Sequence, residues 1–257
     1  MKLLKDIMKN QLSENASVLI IGNEILSGRT IDKNFNFIAS KLNEHGISIS
    51  ESRTVSDNEQ EIINAINELR KKYNYVFTTG GIGPTHDDVT AESVSKAFNV
   101  ELEINEEAYK ILEDYYKELG SEFNDVRQRM ARIPKGATLI ENSISAAPGF
   151  KIENVFVFAG IPKIMKSMLE DSIKHLNKGK LMHTISIKVD AVEGDIAPVL
   201  KSLNDENENI KIGSYPFFNS NDDFGVSVVI RSIDKDFLIL AEEKLKNYLS
   251  KNSFNFK

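Results

Sequence analysis

Apolar and polar positions alternate along this chain in two distinct rhythms, and the rhythms trade places at regular intervals. Residues 17–21 (SVLII) form a β-branched run that ends at Gly22, which reads as a buried strand. Phe35, Ile38, Ala39 and Leu42 then recur at helical spacing, and Gly46 is placed to stop that helix. Residues 47–55 alternate like a strand. Ser56-Asp57-Asn58-Glu59 reads as a capping box ahead of a helix whose apolar face is Ile62, Ala65, Ile66 and Leu69. A third strand, Tyr75 to Thr79, runs into the turn GGIGPTHDD. There Thr85-x-x-Asp88 reads as a second capping box, opening a helix to about Phe98. Further helices are predicted over 105–119, 123–132 and from Pro162, whose face is Met165, Met168, Leu169, Ile173 and Leu176; residues 155–158 form a strand. Strands alternating with helices predict an α/β fold with a mostly parallel sheet, in which ligands bind beyond the carboxyl ends of the strands. The turns after Ile21, Val55 and Thr79 therefore belong to one edge.

The rhythm changes at 177–180 (NKGK). After it come a strand (181–189), a helix (194–204), two strands (209–215 and 224–232) joined by FFNSNDDFG, and a last helix (235–250). This order predicts a small α+β domain of the split β-α-β kind. The expected organisation is an N-terminal extension over 1–16, an α/β domain over 17–176 and the small domain over 181–257.

Composition narrows the chemistry. Of 257 residues 41% are hydrophobic, enough for a substantial core, and none is cysteine, so disulfides and thiolate chemistry are excluded. A net charge of −6 argues against a nucleic-acid partner but leaves room for a small anionic ligand held by a local site. Charges at Lys5, Asp6 and Lys9 interrupt the N-terminal segment, which reads as neither signal peptide nor membrane span, and a cytoplasmic homo-oligomer is expected.

A glycine turn between strand and helix lets backbone N–H groups approach an anion, helped by the positive end of the helix dipole. GGIGP fits neither a nucleotide P-loop nor a dinucleotide fingerprint. The candidate phosphate contacts are Gly80, Gly81, Gly83 and Thr85, with Gly149 in the second small-residue turn, AAPGF. Asp87 and Asp88 would repel a phosphate unless a hard divalent cation bridged them to it, which makes both candidate metal ligands for Mg, Mn or Co. Glu24, in the glycine-bounded turn GNEILSG, and Asp57 are the other acids at strand ends; Asp57 also reads as a helix cap. Asn34 faces the crevice or solvent. Arg127, Arg129 and Arg132 do not share one helix face and read first as a solvated surface, second as phosphate ligands. His86 reads first as a turn residue and second as a general acid or base.

GNEILSGRTIDKN, SDN at 56–58, TTGGIGPTHDDVT, NSISAAPGF and FAGIPKIM occur in that order and resemble the MoaB/Mog-like, molybdopterin-binding-like domain. The nearer likeness is to the branch at the N-terminus of CinA, the competence/damage-inducible protein, and to the corresponding region of FAD synthase. The resemblance implies a three-layer α/β sandwich. It implies a small nucleotide or pterin ligand and metal-dependent cleavage of a nucleotide pyrophosphate such as ADP-ribose or FAD, or else binding of molybdopterin or an adenylylated pterin without turnover. It assigns Asp57 and Asp88 to acidic positions that matter in the Mog enzymes, Glu24 to the acid of a GxE motif, and Gly80, Gly81 and Gly83 to the phosphate turn. Ser145 and Ala146 stand where CinA proteins carry Gly and Thr, and Ala159 and Ile164 where they carry Pro and Glu. The sequence as given lacks counterparts of the CinA deamidase and FAD synthase adenylyltransferase domains, so a stand-alone form without either activity is expected.

Overall fold

A computed structural model describes residues 14–220 and 223–257. The reading of the N-terminal segment falls mainly on residues 1–13, outside that range. The chain divides into two compact units, the first ending at Gly179 and the second spanning Lys180–Lys257.

In the first unit the strands β1 (Asn15–Ile21), β2 (Ser48–Val55), β3 (Tyr75–Thr79), β6 (Thr138–Ile140), β7 (Gly149–Ile152) and β8 (Val155–Phe158) form a six-stranded sheet in the order β2-β1-β3-β8-β7-β6. β2, β1, β3 and β8 run parallel, whereas β7 is antiparallel to both neighbours. A separate two-stranded ribbon pairs β4 (Leu102–Ile104) with β5 (Arg132–Pro134).

The pleat of the parallel strands separates two cores. Val18, Ile20, Phe77, Phe156 and Phe158 face one side, where α2 (Asn34–Glu44) and α7 (Pro162–Ile173) bring Ile38, Leu42, Met165, Met168 and Leu169. Phe77 stacks on Phe156 and Phe158 with ring centroids 5.0 and 6.0 Å apart. Leu19, Ile21, Val76, Val155 and Val157 face the other side, covered by α3 (Glu59–Lys72), α4 (Thr90–Phe98) and α5 (Glu106–Glu118). Strands apolar on both faces are what a helix–sheet–helix sandwich requires.

Parts of the first unit differ from the sequence reading. The predicted helix over 123–132 is a single turn, α6 (Asp125–Gln128), then a 3₁₀ turn (Arg129–Ala131) and β5, because the chain straightens there to pair with β4. Between the helix expected over 123–132 and the strand expected over 155–158 the chain also forms β6 and β7, strands too short to show a period. Their intervening turn is built on Asn142. Its Nδ2 donates to Ser145 Oγ and Ala147 O, while its Oδ1 accepts from the amides of Ile144 and Ser145.

In the second unit β9 (His183–Val189), β10 (Ile210–Ser220) and β11 (Asp223–Ser232) form an antiparallel sheet in the order β10-β11-β9. β11 lies between the two strands that the helix α8 (Glu193–Glu206) connects, which is the split arrangement. Ile187, Val189, Val226, Val228 and Ile230 pack with Ile196, Leu203 and the last helix, α9 (Lys235–Lys251), through Leu238, Leu245 and Leu249. The predicted linker is mostly strand: Phe217 and Phe218 pair with Gly225 and Phe224.

Beside β2, Lys72, the Tyr73 hydroxyl and Arg53 all bond to the Glu51 carboxylate, and together they hold its pKa at about 2, against an ordinary 4.5. A depressed carboxyl pKa stabilises the fold above the ordinary value, and that stabilisation disappears as pH falls through the folded value. Glu51→Gln is therefore expected to be less stable than the parent at pH 7, with the gap closing between pH 4.5 and about 2. Denaturant titrations across that range check it; a gap independent of pH refutes the assignment.

Candidate functional site

The carboxyl ends of β1, β2 and β3 bring the glycine turns together. Gly80 leaves β3 with φ +105°, donating to Phe158 O at 3.0 Å, and Gly81 follows with φ +68°. Both values lie where a side chain is strained. A Cβ on Gly80 would sit 2.2 Å from Ile21 O, and one on Gly81 would sit 2.2 Å from Thr90 Oγ1. These glycines first serve the fold. Thr90, fully buried at the start of α4, donates its hydroxyl to Gly80 O at 3.0 Å and its amide to Gly81 O at 3.0 Å.

The second predicted capping box takes another form. Asp88 Oδ2 accepts from the Thr85 amide and hydroxyl at 2.8 and 2.6 Å, and α4 starts only at Thr90, without a side-chain cap. Thr85 and Asp88 thus close a turn ahead of the helix. The Asp88 carboxylate lies against Gly83: a Cβ there would be 2.6 Å from Oδ2. The first capping box is also corrected. Asn58 caps α3, accepting from the amides of Gln60 and Glu61, while Ser56 donates to the Glu61 carboxylate. That releases Asp57, whose Oδ2 accepts from Asn23 N at 2.8 Å and so ties the end of β2 to the short helix α1 (Asn23–Leu26). Glu24, the second residue of α1, folds its carboxylate back over Gly22, whose missing Cβ would lie 2.5 Å from Oε2.

An open cleft of about 460 Å³ lies beside the glycine turn, lined by Gly81, Ile82, Gly83, Asp88, Glu92, Arg129 and Arg132 with the apolar Met130, Pro148 and Phe150. The amides of Gly81, Ile82 and Gly83 donate to nothing among the described residues. Arg129 and Arg132 are half-buried, and neither forms an ion pair or side-chain hydrogen bond among those residues. Guanidinium groups beside free backbone N–H groups are donors of the kind that can hold an anion.

The arginines that the sequence assigned first to a solvated surface therefore divide. Arg127 stacks on Tyr116, 4.4 Å from the ring centroid, and donates to Glu122 O, whereas Arg129 and Arg132 face the cleft. No spacing in the sequence separates the three. Glu92, absent from the sequence candidates, lines the cleft four residues after Asp88; the offset is the one available signal. Asp87 and His86 are exposed and outside the cleft lining. Gly149 lies in β7, where a Cβ would be 2.5 Å from Val157 O: close packing between strands explains this glycine, and its flanking residues Pro148 and Phe150 line the cleft in its place.

Among the described residues no cluster of three or more His, Cys, Asp or Glu side chains gathers that could hold a metal as a closed cage. Asp88 and Glu92 each line the cleft with a carboxylate, and Glu92 Oε1 is ion-paired with Lys96 Nζ at 3.1 Å. Two carboxylates could serve only a cation of the Mg²⁺ type, which takes few protein ligands and keeps several waters.

The first unit is thus a helix–sheet–helix α/β sandwich with a glycine-lined cleft at the carboxyl edge of its sheet. Residues 17–178 match the family model described as "Probable molybdopterin binding domain", and 181–257 match that of "FAD synthase, middle domain". The chain belongs to the first of these families over its larger unit and carries the second domain after it. It is 35% identical to a protein of Pyrococcus abyssi, covering 94% of this chain and 98% of that one, and 34% identical to a protein of Pyrococcus furiosus, covering 90% and 96%. A crystal structure described as the protein CinA with unknown function, from Thermoplasma acidophilum, aligns with a TM-score of 0.59 at 34% identity, over 63% of this chain and 98% of that one. The MoaB/Mog-like and CinA-like resemblance and the α/β fold drawn from it stand. No described helix is long and apolar enough to cross a membrane.

The glycines can be tested separately. Gly81→Ala is expected to destabilise the first unit by about 1–3 kcal/mol, through a strained φ and displacement of the buried Thr90 hydroxyl. Gly83→Ala, without a positive φ, is expected to move Asp88 at little cost in stability. Thermal melts of both decide; equal destabilisation would refute the division of roles.

Proposed function

We propose that this protein is a metal-dependent hydrolase of nucleotide pyrophosphates, of the ADP-ribose or FAD type. The observation that carries the reading is the pairing, in one cleft of an acidic chain, of two unpaired arginines and a free glycine amide run with the carboxylates of Asp88 and Glu92. Cations alone would suit any anion. Cations facing carboxylates suit a diphosphate that arrives with a divalent ion.

In this reading Gly81–Gly83 and Arg129 hold one phosphoryl group and Arg132 the other, so that the bridging oxygen lies across the mouth of the cleft. Asp88 and Glu92 would hold the divalent ion, which supplies charge neutralisation and polarisation of a phosphoryl oxygen. Thr85 fixes Asp88 through its amide and hydroxyl and leaves Oδ1 without a protein partner. Asp57 and Gly22 hold the first turn against the end of β2 through Asn23 N and Val55 O. The reaction adds water to one phosphorus, breaks its bond to the bridging oxygen and releases two phosphate monoesters with two protons. Preorganised donors aimed at the developing charge are the main contribution the chain itself makes. The alternative, binding of a molybdopterin or adenylylated pterin without turnover, draws on the family match over 17–178.

The test is a screen of ADP-ribose, FAD and NAD(H) with Mg²⁺, Mn²⁺ or Co²⁺, measuring released nucleoside monophosphate. The parent is expected to cleave at least one pair. Arg129→Ala and Arg132→Ala are expected to raise KM, and Asp88→Asn, which keeps an acceptor for Thr85, to slow turnover by orders of magnitude with little change in melting temperature. No cleavage of any substrate, with tight pterin binding instead, would establish the alternative.

A further inference from the structure

Helices cover the three-stranded sheet of the second unit on one face only. Alternation along the strands sets Lys188, Lys211, Tyr215, Phe217 and Arg231 on the other face. Lys211 and Arg231 stand directly opposite each other on β10 and β11, and both are exposed. Like charges so placed destabilise a sheet, and neither side chain has an ion pair or hydrogen bond among the described residues. Within the strands none of the side chains described on this face is acidic; Asp190 follows β9 immediately. Two aromatic rings lie down on the same face where glycines make room. Tyr215 folds back over Gly213, where a Cβ would come within 2.9 Å of the ring and its hydroxyl. Phe217 reaches Gly225, directly opposite on β11, where a Cβ would be 3.0 Å from Cζ. Tyr215 is still 52% exposed, and Lys188 Nζ lies 5.4 Å from the Phe217 ring centroid.

Opposed cations kept without a counter-charge, beside rings laid along the sheet, call for a partner that is both anionic and planar. An acidic peptide matches the charge but leaves the ring faces unstacked. A lipid surface takes aromatic side chains that project into it, whereas Tyr215 and Phe217 are folded down; the exposed Phe218 and Phe224 are paired on the opposite face. A single nucleic-acid strand brings both features, phosphates for the cations and base faces for the rings. We propose that this open sheet face binds single-stranded DNA or RNA, with bases on Tyr215 and Phe217 and phosphates at Lys188, Lys211 and Arg231. The Lys211–Arg231 pair lies four residues from Tyr215 along β10, about 13 Å, so that a short stretch of strand running along β10 meets a cation at either end. Composition argues against a nucleic-acid partner for the chain as a whole, but charges more than about 8 Å away are largely screened at physiological salt, and the charge on this face is positive. The proposal is independent of the hydrolase reading, which concerns the first unit.

Fluorescence anisotropy with the full chain measures binding of a labelled single-stranded oligonucleotide, as DNA and as RNA, with the matching duplex, heparin and phosphatidylserine vesicles as competitors. The expected result is that at least one single strand binds, more tightly than its duplex, and that binding weakens as salt rises. Tyr215→Leu keeps Gly213 covered but cannot stack, and is expected to weaken binding about tenfold. Lys211→Glu turns the like-charge pair into an opposite-charge pair. It is expected to weaken binding by a similar factor while holding or raising the melting temperature. Arg129→Ala, in the cleft of the first unit, is expected to leave oligonucleotide binding unchanged. Absence of single-strand binding, or binding that Lys211→Glu leaves intact, would overturn the proposal. So would loss of binding in Arg129→Ala with Lys211→Glu unaffected, which places the strand in the first unit. Equal binding of duplex or heparin, insensitive to a folded Tyr215→Leu, would reduce the face to a general polyanion patch and overturn it too. Vesicle binding that Lys211→Glu abolishes, with no oligonucleotide bound, would assign the face to a membrane surface instead. If Tyr215→Leu does not fold, Lys211→Glu and the comparison of strand with duplex still decide.

Discussion

Where β3 leaves the sheet the chain passes through a point with no room for a side chain. Gly80 approaches Ile21 O so closely that a Cβ would overlap it, and Gly160 packs from the other side, with its own missing Cβ 3.3 Å from Gly80 Cα. The ends of three parallel strands, β1, β3 and β8, meet at this place, joined by the Gly80 amide on Phe158 O. A left-handed backbone here lets the chain turn sharply enough for Thr90 to reach back and hold the Gly80 and Gly81 carbonyls.

Carboxylates occupy the spaces that glycines leave. Glu24 lies over Gly22 and Asp88 over Gly83, in each case where a Cβ would otherwise sit. The same omission of a side chain therefore provides backbone access and seats an acid beside it. On a chain with a net charge of −6, the anion site depends on local arrangement: Arg129 and Arg132 remain unpaired while most other basic contacts near the sheet are satisfied, as with Arg53 on Glu51 and Glu68. Long-range charge would repel an anionic ligand, but the cleft is within a few ångströms of it, and screening at physiological salt removes the distant contribution first.

The second unit has its own sheet and core, and its helices cover the strands with leucine and isoleucine side chains from α8 and α9. Its ion pairs are of the surface kind, such as Lys244 on Glu206, and exposed pairs of that sort contribute little to stability. The hydrolysis proposed here belongs to the first unit.

Period and punctuation made the architecture legible. Short β-branched and aromatic runs such as SVLII and YVFTT, each ending at a glycine, read as strands covered on both sides, and the helical faces of Ile62–Leu69 and Met165–Leu169 say what covers them. Glycine followed by acid marked the sheet edge at which the cleft opens. Short antiparallel strands stayed hidden, because three residues carry no period and their pairing partners are supplied from far along the chain, as when Arg132–Pro134 meets Leu102–Ile104. Individual roles stayed hidden for the same reason. Asp57 reads as a cap in isolation, yet it bonds across 34 positions to Asn23. Arg127, Arg129 and Arg132 are alike in sequence, and only the packing of Tyr116 under the first sets the other two free for the cleft. Asn34 at the head of a helix is unremarkable until Gly160, 126 residues on, takes its amide nitrogen and leaves the oxygen without a donor. Local pattern settles which segments are helix or strand because that depends on neighbours a few residues away; a site is assembled from groups distant in sequence, and their meeting is decided by the fold.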